Sequence, residues 1–196
     1  MSAIPVSPVL AAWRLPARGR VAMLSLIIGE SAIFTIFVVA YIFYIGRSLS
    51  PPYPAQVLDI PVFNTICLLS SSVTIWLAER QIERVRIKAF AAWWAITIAL
   101  GAIFLGGTAI EWHKLICVDG LTIRTNLFGT TFYSLVGLHA THVVVGLIGL
   151  SLILLFTLTG HVREEHAERI QVFALYWHFV DAVWIVVFTV VYIIGR

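Results

Sequence analysis

Five long apolar segments, separated by short polar connections, constrain the fold of this chain more than any other feature. They cover about residues 21–45, 61–78, 89–110, 127–158 and 172–194. A helix needs about 20 apolar residues to cross a hydrocarbon layer roughly 30 Å thick. Lipid offers the backbone no hydrogen-bond partner, so helices are favoured in all five segments. The sequence therefore predicts an all-α polytopic membrane protein, a bundle of five transmembrane helices.

The composition agrees with this prediction and leaves little room for a soluble domain. Of the 196 residues, 60% are hydrophobic, and the mean hydropathy is +0.96. A chain that folds around one soluble core rarely reaches such values. We therefore expect an amino-terminal arm at residues 1–20 and a single membrane domain at residues 21–196.

The distribution of basic residues predicts the orientation of the bundle. Nine of the 13 Lys and Arg residues fall on one side of a five-span protein: Arg14, Arg18, Arg20, Arg80, Arg84, Arg86, Lys88, Arg163 and Arg169. Cytoplasmic connections carry an excess of Lys and Arg, so the amino terminus is predicted to be cytoplasmic. The same bias explains the formal charge of +3 without a nucleic-acid partner.

A secretory signal peptide is an alternative interpretation of the first apolar segment, because basic residues precede it. The segment is longer than the apolar part of a signal peptide, contains Glu30, and ends without a clear small-x-small cleavage motif. We therefore interpret it as the first transmembrane helix.

Several ionisable residues interrupt the apolar segments. Glu30 lies in the first segment, His139 and His142 in the fourth, and His178 and Asp181 in the fifth. A charged side chain at the bilayer centre costs about 2.5–3.5 kcal/mol, so each should have a partner or a functional role. Glu111 ends the third segment beside Trp112, where an interfacial anchor is expected. These six residues are the predicted intramembrane polar cluster: Glu30, Glu111, His139, His142, His178 and Asp181.

Structural and functional interpretations of these residues both remain open. The i, i+3 spacing places His178 and Asp181 on one helix face, where a histidine can donate to the aspartate. His139 and His142 have the same spacing, and His178 is a candidate third metal ligand. Nothing in the spacing selects that combination, and metal sites usually need three or four ligands. We predict no metal site.

Three motifs carry a resemblance to a known family. They are YWHFVDAVW at 176–184, GTTFYSLVGLHATHVVVG at 129–146 and GESAIF at 29–34. Together they resemble subunit III of the haem-copper cytochrome oxidases, in the short five-helix bacterial form. The resemblance runs from about Ala22 to Arg196, and an Asn64–Thr65 pair also matches. It implies a multi-pass protein of the bacterial inner membrane.

The resemblance implies an accessory role in a respiratory complex. Such a complex reduces oxygen to water with electrons from cytochrome c and pumps protons. Haem and copper would belong to partner subunits, a haem-bearing subunit I and a copper-bearing subunit II. We expect this chain to have no catalytic or cofactor-binding residue of its own. It would stabilise the large subunit, support proton uptake and hold phospholipids, and Glu30 matches the family's carbodiimide-reactive glutamate.

In the resembling family, phospholipids occupy a cleft between two groups of helices. The fourth segment, about 32 residues at about 1.5 Å each, would extend about 48 Å and suits one wall of such a cleft. This chain lacks the first two helices of the seven-helix members. It also has Phe156 where those members carry an arginine near a lipid phosphate. We therefore expect headgroup contacts from His161, Arg163 or His166.

Other functions remain possible from the sequence. Subunit III of a quinol oxidase, or a homologue associated with nitric oxide reductases, would keep the same fold. A more distant alternative is a small proton transporter or channel that uses Glu30, His178 and Asp181 as a relay. Against it, the sequence shows no inverted repeat. The co-purifying subunits would distinguish the oxidases from one another.

Overall fold

The computed structural model describes residues 18–160 and 167–196, and the regular elements in these ranges are all helical. They are α1 (Arg18–Tyr44), α2 (Pro54–Val57), α3 (Val62–Glu83), α4 (Ile87–Cys117), α5 (Leu127–Leu158) and α6 (Ala167–Phe188), which continues as a π-helical turn (Thr189–Ile194). Within the described residues, five helices are long and apolar enough to cross a membrane. The predicted five-helix membrane fold is confirmed.

Some helix boundaries differ from those predicted from hydropathy. The limits of α5 are as predicted, whereas α3 continues past its apolar segment to Glu83, and α4 begins at Ile87 and continues past its segment to Cys117. The added turns carry charged residues such as Glu79 and Lys114, whose long side chains can reach water while the backbone stays helical. The short α2 was not predicted. The division into an arm at 1–20 and a membrane domain stays a prediction, although α1 begins at Arg18.

The helices pack around an aromatic core. The most extensive pairing joins α3 to α4; α5 contacts α1, α4 and α6, and α6 also contacts α1 and α3. Trp94, Trp177 and Trp184 are almost fully buried between these helices. Of the residues in α1, Phe34 and Tyr41 are the two that are buried, so α1 lies at the periphery. Many exposed Val, Ile, Leu and Phe side chains cover the outside, as lipid contact requires.

Two glycines create the space that Trp177 occupies. A Cβ atom at Gly101 of α4 would lie 2.9 Å from its ring, and one at Gly146 of α5 would lie 2.7 Å away. Real Cβ atoms do not approach ring atoms this closely, so both positions must be glycine for Trp177 to lie here. These two glycines thus allow a tryptophan of α6 to pack against α4 and α5 together.

Polar contacts tie the connections at one end of the bundle. The Asn126 side chain accepts a hydrogen bond from the Gly129 N–H at 2.8 Å and caps α5. Its amide also donates to the carbonyls of Ser50 and Pro52, at 2.9 and 3.0 Å. These bonds fix the connection that follows α1 against the start of α5.

An exposed ion pair joins a second connection to α4 at the same end. The Lys114 Nζ lies 2.6 Å from Asp59 Oδ2. The hydrogen bond from Lys114, together with its charge, holds the pKa of the Asp59 carboxyl below its usual value. Since both side chains are exposed to water, the pair contributes little to stability.

Candidate functional site

Ser72 of α3 joins two of the predicted polar residues of α6. Its hydroxyl donates to Asp181 Oδ2 and lies 3.2 Å from His178 Nδ1. With Asp181 as the carboxylate acceptor, the single hydroxyl hydrogen goes to Asp181, and His178 Nδ1 then donates to the Ser72 oxygen. His178 and Asp181 therefore interact through a serine rather than through the direct bond expected from their spacing.

The buried end of this network is firmly packed. Trp177 Nε1 donates to Ser71 Oγ at 2.8 Å, and the Ser71 hydroxyl donates to the Leu68 carbonyl at 2.6 Å. Asp181 is 3% exposed, and its Oδ1 has no hydrogen-bond partner among the described residues. An unpaired carboxyl oxygen in such a place is costly, so Asp181 is a position where a proton can be held.

The other end of the network opens to water. His178 Nε2 lies 3.8 Å from Glu79 Oε2, and the His178 side chain is 36% exposed. Glu79 and His178 both line a polar cavity at the end of the bundle where α3 ends and α6 begins. Hydrogen-bonding groups thus run from this cavity through His178 and Ser72 to Asp181. We call these three residues, together with Glu79 and Ser71, the Ser72 network.

A second polar contact joins α1 to α5. His142 Nε2 lies 3.1 Å from Glu30 Oε2, and His142 Nδ1 lies 2.8 Å from the Leu138 carbonyl. The carbonyl can only accept, so Nδ1 carries a hydrogen. Nε2 faces the Glu30 carboxyl group, and this contact joins α1 to α5.

His139 lies one turn from His142 but has no polar partner. Both of its ring nitrogens are buried without a hydrogen bond among the described residues. Aromatic rings surround it: Trp184 stacks at 5.0 Å between centroids, and Phe104 contacts it edge-on at 5.9 Å. His139 packs as part of the aromatic core in this arrangement.

Glu111 lies apart from the other predicted residues, near the end of α4. Both of its carboxylate oxygens lie 3.0 Å from the Tyr192 hydroxyl, which donates to them from the π-helical turn. The residue is half-buried rather than freely exposed. The six predicted polar residues thus do not form one cluster: hydrogen bonds divide them between the Ser72 network, the Glu30–His142 pair, Glu111 and the isolated His139.

The Asn64–Thr65 pair lies between helices. The Asn64 side chain occupies the position that a side chain at Gly107 of α4 would fill. Thr65 Oγ1 accepts a hydrogen bond from Trp184 Nε1 at 3.2 Å. Both residues therefore hold α3 against its neighbours.

Sequence reasoning missed the two serines that organise the α3–α6 contact. The signal was present as three consecutive serines, Ser70–Ser72, inside an apolar segment. The proposed headgroup residues His161, Arg163 and His166 lie outside the described residues. Across residues 18–160 and 167–196, no three His, Cys, Asp or Glu side chains converge as metal ligands would.

Comparison with known proteins decides the family. The sequence model of cytochrome c oxidase subunit III matches residues 18–196, from the first described helix to the last residue. The chain belongs to the cytochrome c oxidase subunit III family. The resemblance seen in the motifs of α1, α5 and α6 is confirmed.

Relatives of this subunit III family member include oxidase subunits named for different donors. Cytochrome c oxidase subunit 3 of Thermostichus vulcanus is 36% identical over 177 residues, covering 89% of this chain and 86% of its own length. The protein of the same name from Alkalihalophilus pseudofirmus is 36% identical over 169 residues, covering 85% and 82%. Cytochrome bo(3) ubiquinol oxidase subunit 3 of Pseudomonas aeruginosa is 31% identical over 168 residues, covering 85% and 80%.

Family membership and the five apolar helices together define the general role. The chain is a multi-pass membrane subunit III of the haem-copper oxidase family, and such a subunit belongs to a complex with other oxidase subunits.

Proposed function

We propose that this chain is the non-catalytic subunit III of a proton-pumping cytochrome c oxidase in a bacterial plasma membrane. The proposal assigns haem and copper to subunits I and II and places the amino terminus in the cytoplasm. It is supported by the identity of about a third that the chain shares with named cytochrome c oxidase subunits. Because one relative is a subunit of a ubiquinol oxidase, quinol is the second candidate for the electron donor.

The observation that carries the proposed role in proton uptake is the Ser72 network. It begins at a cavity on the predicted cytoplasmic side, where most basic residues lie, and ends at the buried Asp181. Groups with exchangeable protons at such a boundary can collect protons for a neighbouring subunit. In this proposal the chain itself carries no redox centre, and protons leave it for the large subunit.

The proposed structural role follows from the same contacts. Glu30–His142 joins α1 to α5, and Ser72 joins α3 to α6, so each pair keeps a membrane helix in place by a buried polar bond. We propose that this rigid bundle supports the large subunit during turnover and holds phospholipids on its surface.

A purification tests the proposal. The tagged native chain would be isolated in mild detergent, its partners identified, and a reduced-minus-oxidised spectrum recorded. We expect recovery with a haem-bearing large subunit and with haem bands. A co-purifying copper-binding subunit would indicate cytochrome c as donor, and its absence quinol. A colourless chain recovered alone from fresh membranes that show oxidase activity would contradict the proposal.

A further inference from the structure

We propose that ordered water fills a cavity at the carboxyl-terminal end of α1, and that one of these water molecules hydrogen-bonds to the buried hydroxyl of Tyr41. We call this space the Tyr41 cavity. The inference does not depend on the proposed oxidase function, because it concerns how α1 is held against the rest of the bundle.

The Tyr41 cavity is enclosed by parts of the chain that are distant in sequence. Tyr41 comes from the last turn of α1, Ser48 from the connection that follows, Thr131 from the start of α5, and Gly195 from the end of the π-helical turn. The volume is about 320 Å³, including the open mouth. A water molecule occupies about 30 Å³ in the liquid, so the cavity has room for several.

The Tyr41 hydroxyl is the group in this cavity that needs a partner. Tyr41 is 2% exposed, and its hydroxyl has no hydrogen-bond partner among the described residues. A Cβ atom at Gly195 would lie 2.7 Å from the hydroxyl oxygen, and Gly195 lines the same cavity. A hydroxyl buried without a hydrogen bond costs free energy. A hydrogen-bonding ligand in the cavity would remove that cost.

Other polar groups of the lining can complete a water site. Ser48 Oγ accepts a hydrogen bond from the Phe128 N–H at 2.9 Å, and a hydroxyl can donate its own hydrogen at the same time. The Thr131 hydroxyl donates to the carbonyls of Leu127 and Phe128, at 3.0 and 3.1 Å, while its oxygen can still accept. Since a buried water makes about three hydrogen bonds, a lining that offers both donors and acceptors suits it.

The chemistry of the lining favours water over other ligands. None of the described residues that line this cavity carries a charged side chain, so an ion would be buried there without a counter-charge. An acyl chain or a dissolved gas would fill the space but leave the Tyr41 hydroxyl unpaired. Water is small and neutral, and it both donates and accepts hydrogen bonds.

His139 provides a contrast within the same bundle. Its ring nitrogens also have no hydrogen-bond partner among the described residues, but Trp184 and Phe104 pack against its ring. Tyr41 instead borders a cavity with other hydroxyls. It is also one of the two buried residues of α1, the other being Phe34. A water bound to Tyr41 would therefore help to hold the end of a peripheral helix.

The test compares density maps of the intact membrane complex. The complex would be purified in mild detergent and imaged by electron cryomicroscopy at a resolution that shows other buried water molecules. We expect a rounded peak within about 3.2 Å of the Tyr41 hydroxyl oxygen. The peak should disappear in Tyr41→Phe. It should remain in the matched control Tyr133→Phe, because the Tyr133 hydroxyl donates to the Leu121 carbonyl at 2.8 Å and does not line this cavity.

Thermal unfolding gives a second measurement. Tyr41→Phe should unfold about 2–4 °C below the wild type, because it loses a hydroxyl that is bonded to water. If the cavity is dry, removal of an unpaired hydroxyl should leave the unfolding temperature unchanged or raise it, and this result would overturn the inference.

The maps contain the other decisive outcomes. The inference is wrong if the native map shows other buried water but no peak at Tyr41, if it shows an elongated ligand there, or if the peak persists in Tyr41→Phe. The native map decides the question even if the Tyr41→Phe complex does not assemble.

Discussion

The indole of Trp184 stacks on the imidazole of His139, with ring centroids 5.0 Å apart and an angle of 30° between the planes. This contact buries both imidazole nitrogens without a hydrogen bond among the described residues. A histidine in the middle of a membrane protein is usually expected to have a hydrogen-bond partner or a functional role. Here its ring fills space between aromatic neighbours.

This contact predicts that His139→Phe is tolerated. Phenylalanine keeps the ring packing and removes two desolvated nitrogens, and replacing unpaired polar atoms by an apolar group of similar shape is near neutral or stabilising. We expect the complex to unfold at an unchanged or slightly higher temperature. His142→Phe, which loses the contacts to Glu30 and Leu138, should cost about 1–3 kcal/mol of unfolding free energy. Equal destabilisation by both variants would contradict this account.

The Ser72 network predicts a large effect from a small change. Ser72→Ala removes the donor to Asp181 and leaves a buried carboxyl with less hydrogen bonding, which should lower the free energy of unfolding by about 1–3 kcal/mol. Thermal unfolding of the complex measures the change. Ser70→Ala is the matched control, because the neighbouring Ser70 takes no part in the network. If the two variants unfold at the same temperature, Ser72 does not hold α3 to α6.

Close packing around Trp177 predicts a difference between two glycine substitutions. Gly146→Ala places a Cβ atom 2.7 Å from the Trp177 ring and should destabilise the bundle by about 1–3 kcal/mol through overpacking. Gly106→Ala should be neutral or stabilising, since a Cβ atom there meets nothing within 4 Å. Denaturation of the complex compares them. Similar losses of stability would show that helix flexibility, rather than the tryptophan contact, decides the outcome.

We expect the Glu30→Gln substitution to change how long the complex stays active but not its initial rate of oxygen consumption. Glutamine can still hydrogen-bond to His142 but cannot give up a proton, and under the proposed function no redox centre is touched. Initial oxygen consumption should therefore stay close to that of the wild type, while the number of turnovers before inactivation changes. An oxygen electrode records both in one experiment. Immediate and complete loss of activity in a fully assembled complex would contradict the non-catalytic role.

The ion pair between Asp59 and Lys114 predicts a pH dependence outside the membrane. Because Lys114 lowers the pKa of Asp59, the stabilisation is present above the usual Asp pKa of about 3.9 and disappears as the pH falls through the lower value in the folded protein. Hydrogen exchange in residues 54–60, corrected for intrinsic rates, should therefore accelerate slightly as the pH falls below about 4. Asp59→Asn should show slightly faster exchange than the wild type above that pH and no such step.

The sequence predicted the membrane fold well because hydropathy alone determines where a helix can cross a bilayer. The limits of α5 were predicted to the residue, since Asn126 and Thr159 interrupt a continuous apolar run. The ends of α3 and α4 were missed because charged residues can continue a helix into the aqueous phase. The short α2 has no apolar periodicity and gave no signal.

The candidate site was predicted in part. Ionisable residues such as Glu30 and Asp181 stand out against an apolar background, so they could be found by inspection. Their partners could not, because hydropathy does not specify which helices become neighbours. Ser72 is especially hard to find: a serine costs little in a membrane helix and can satisfy itself on its own backbone.

The pairing of Glu30 with His142 also has a consequence for biogenesis. The two residues are 112 positions apart in the chain. Membrane helices are made in order from the amino terminus, so Glu30 enters the bilayer before its partner has been synthesised. α1 is therefore inserted without this polar partner, and the Glu30–His142 contact can form only after α5 has been inserted. Packing of the first helix against the rest of the bundle is thus a late step of assembly.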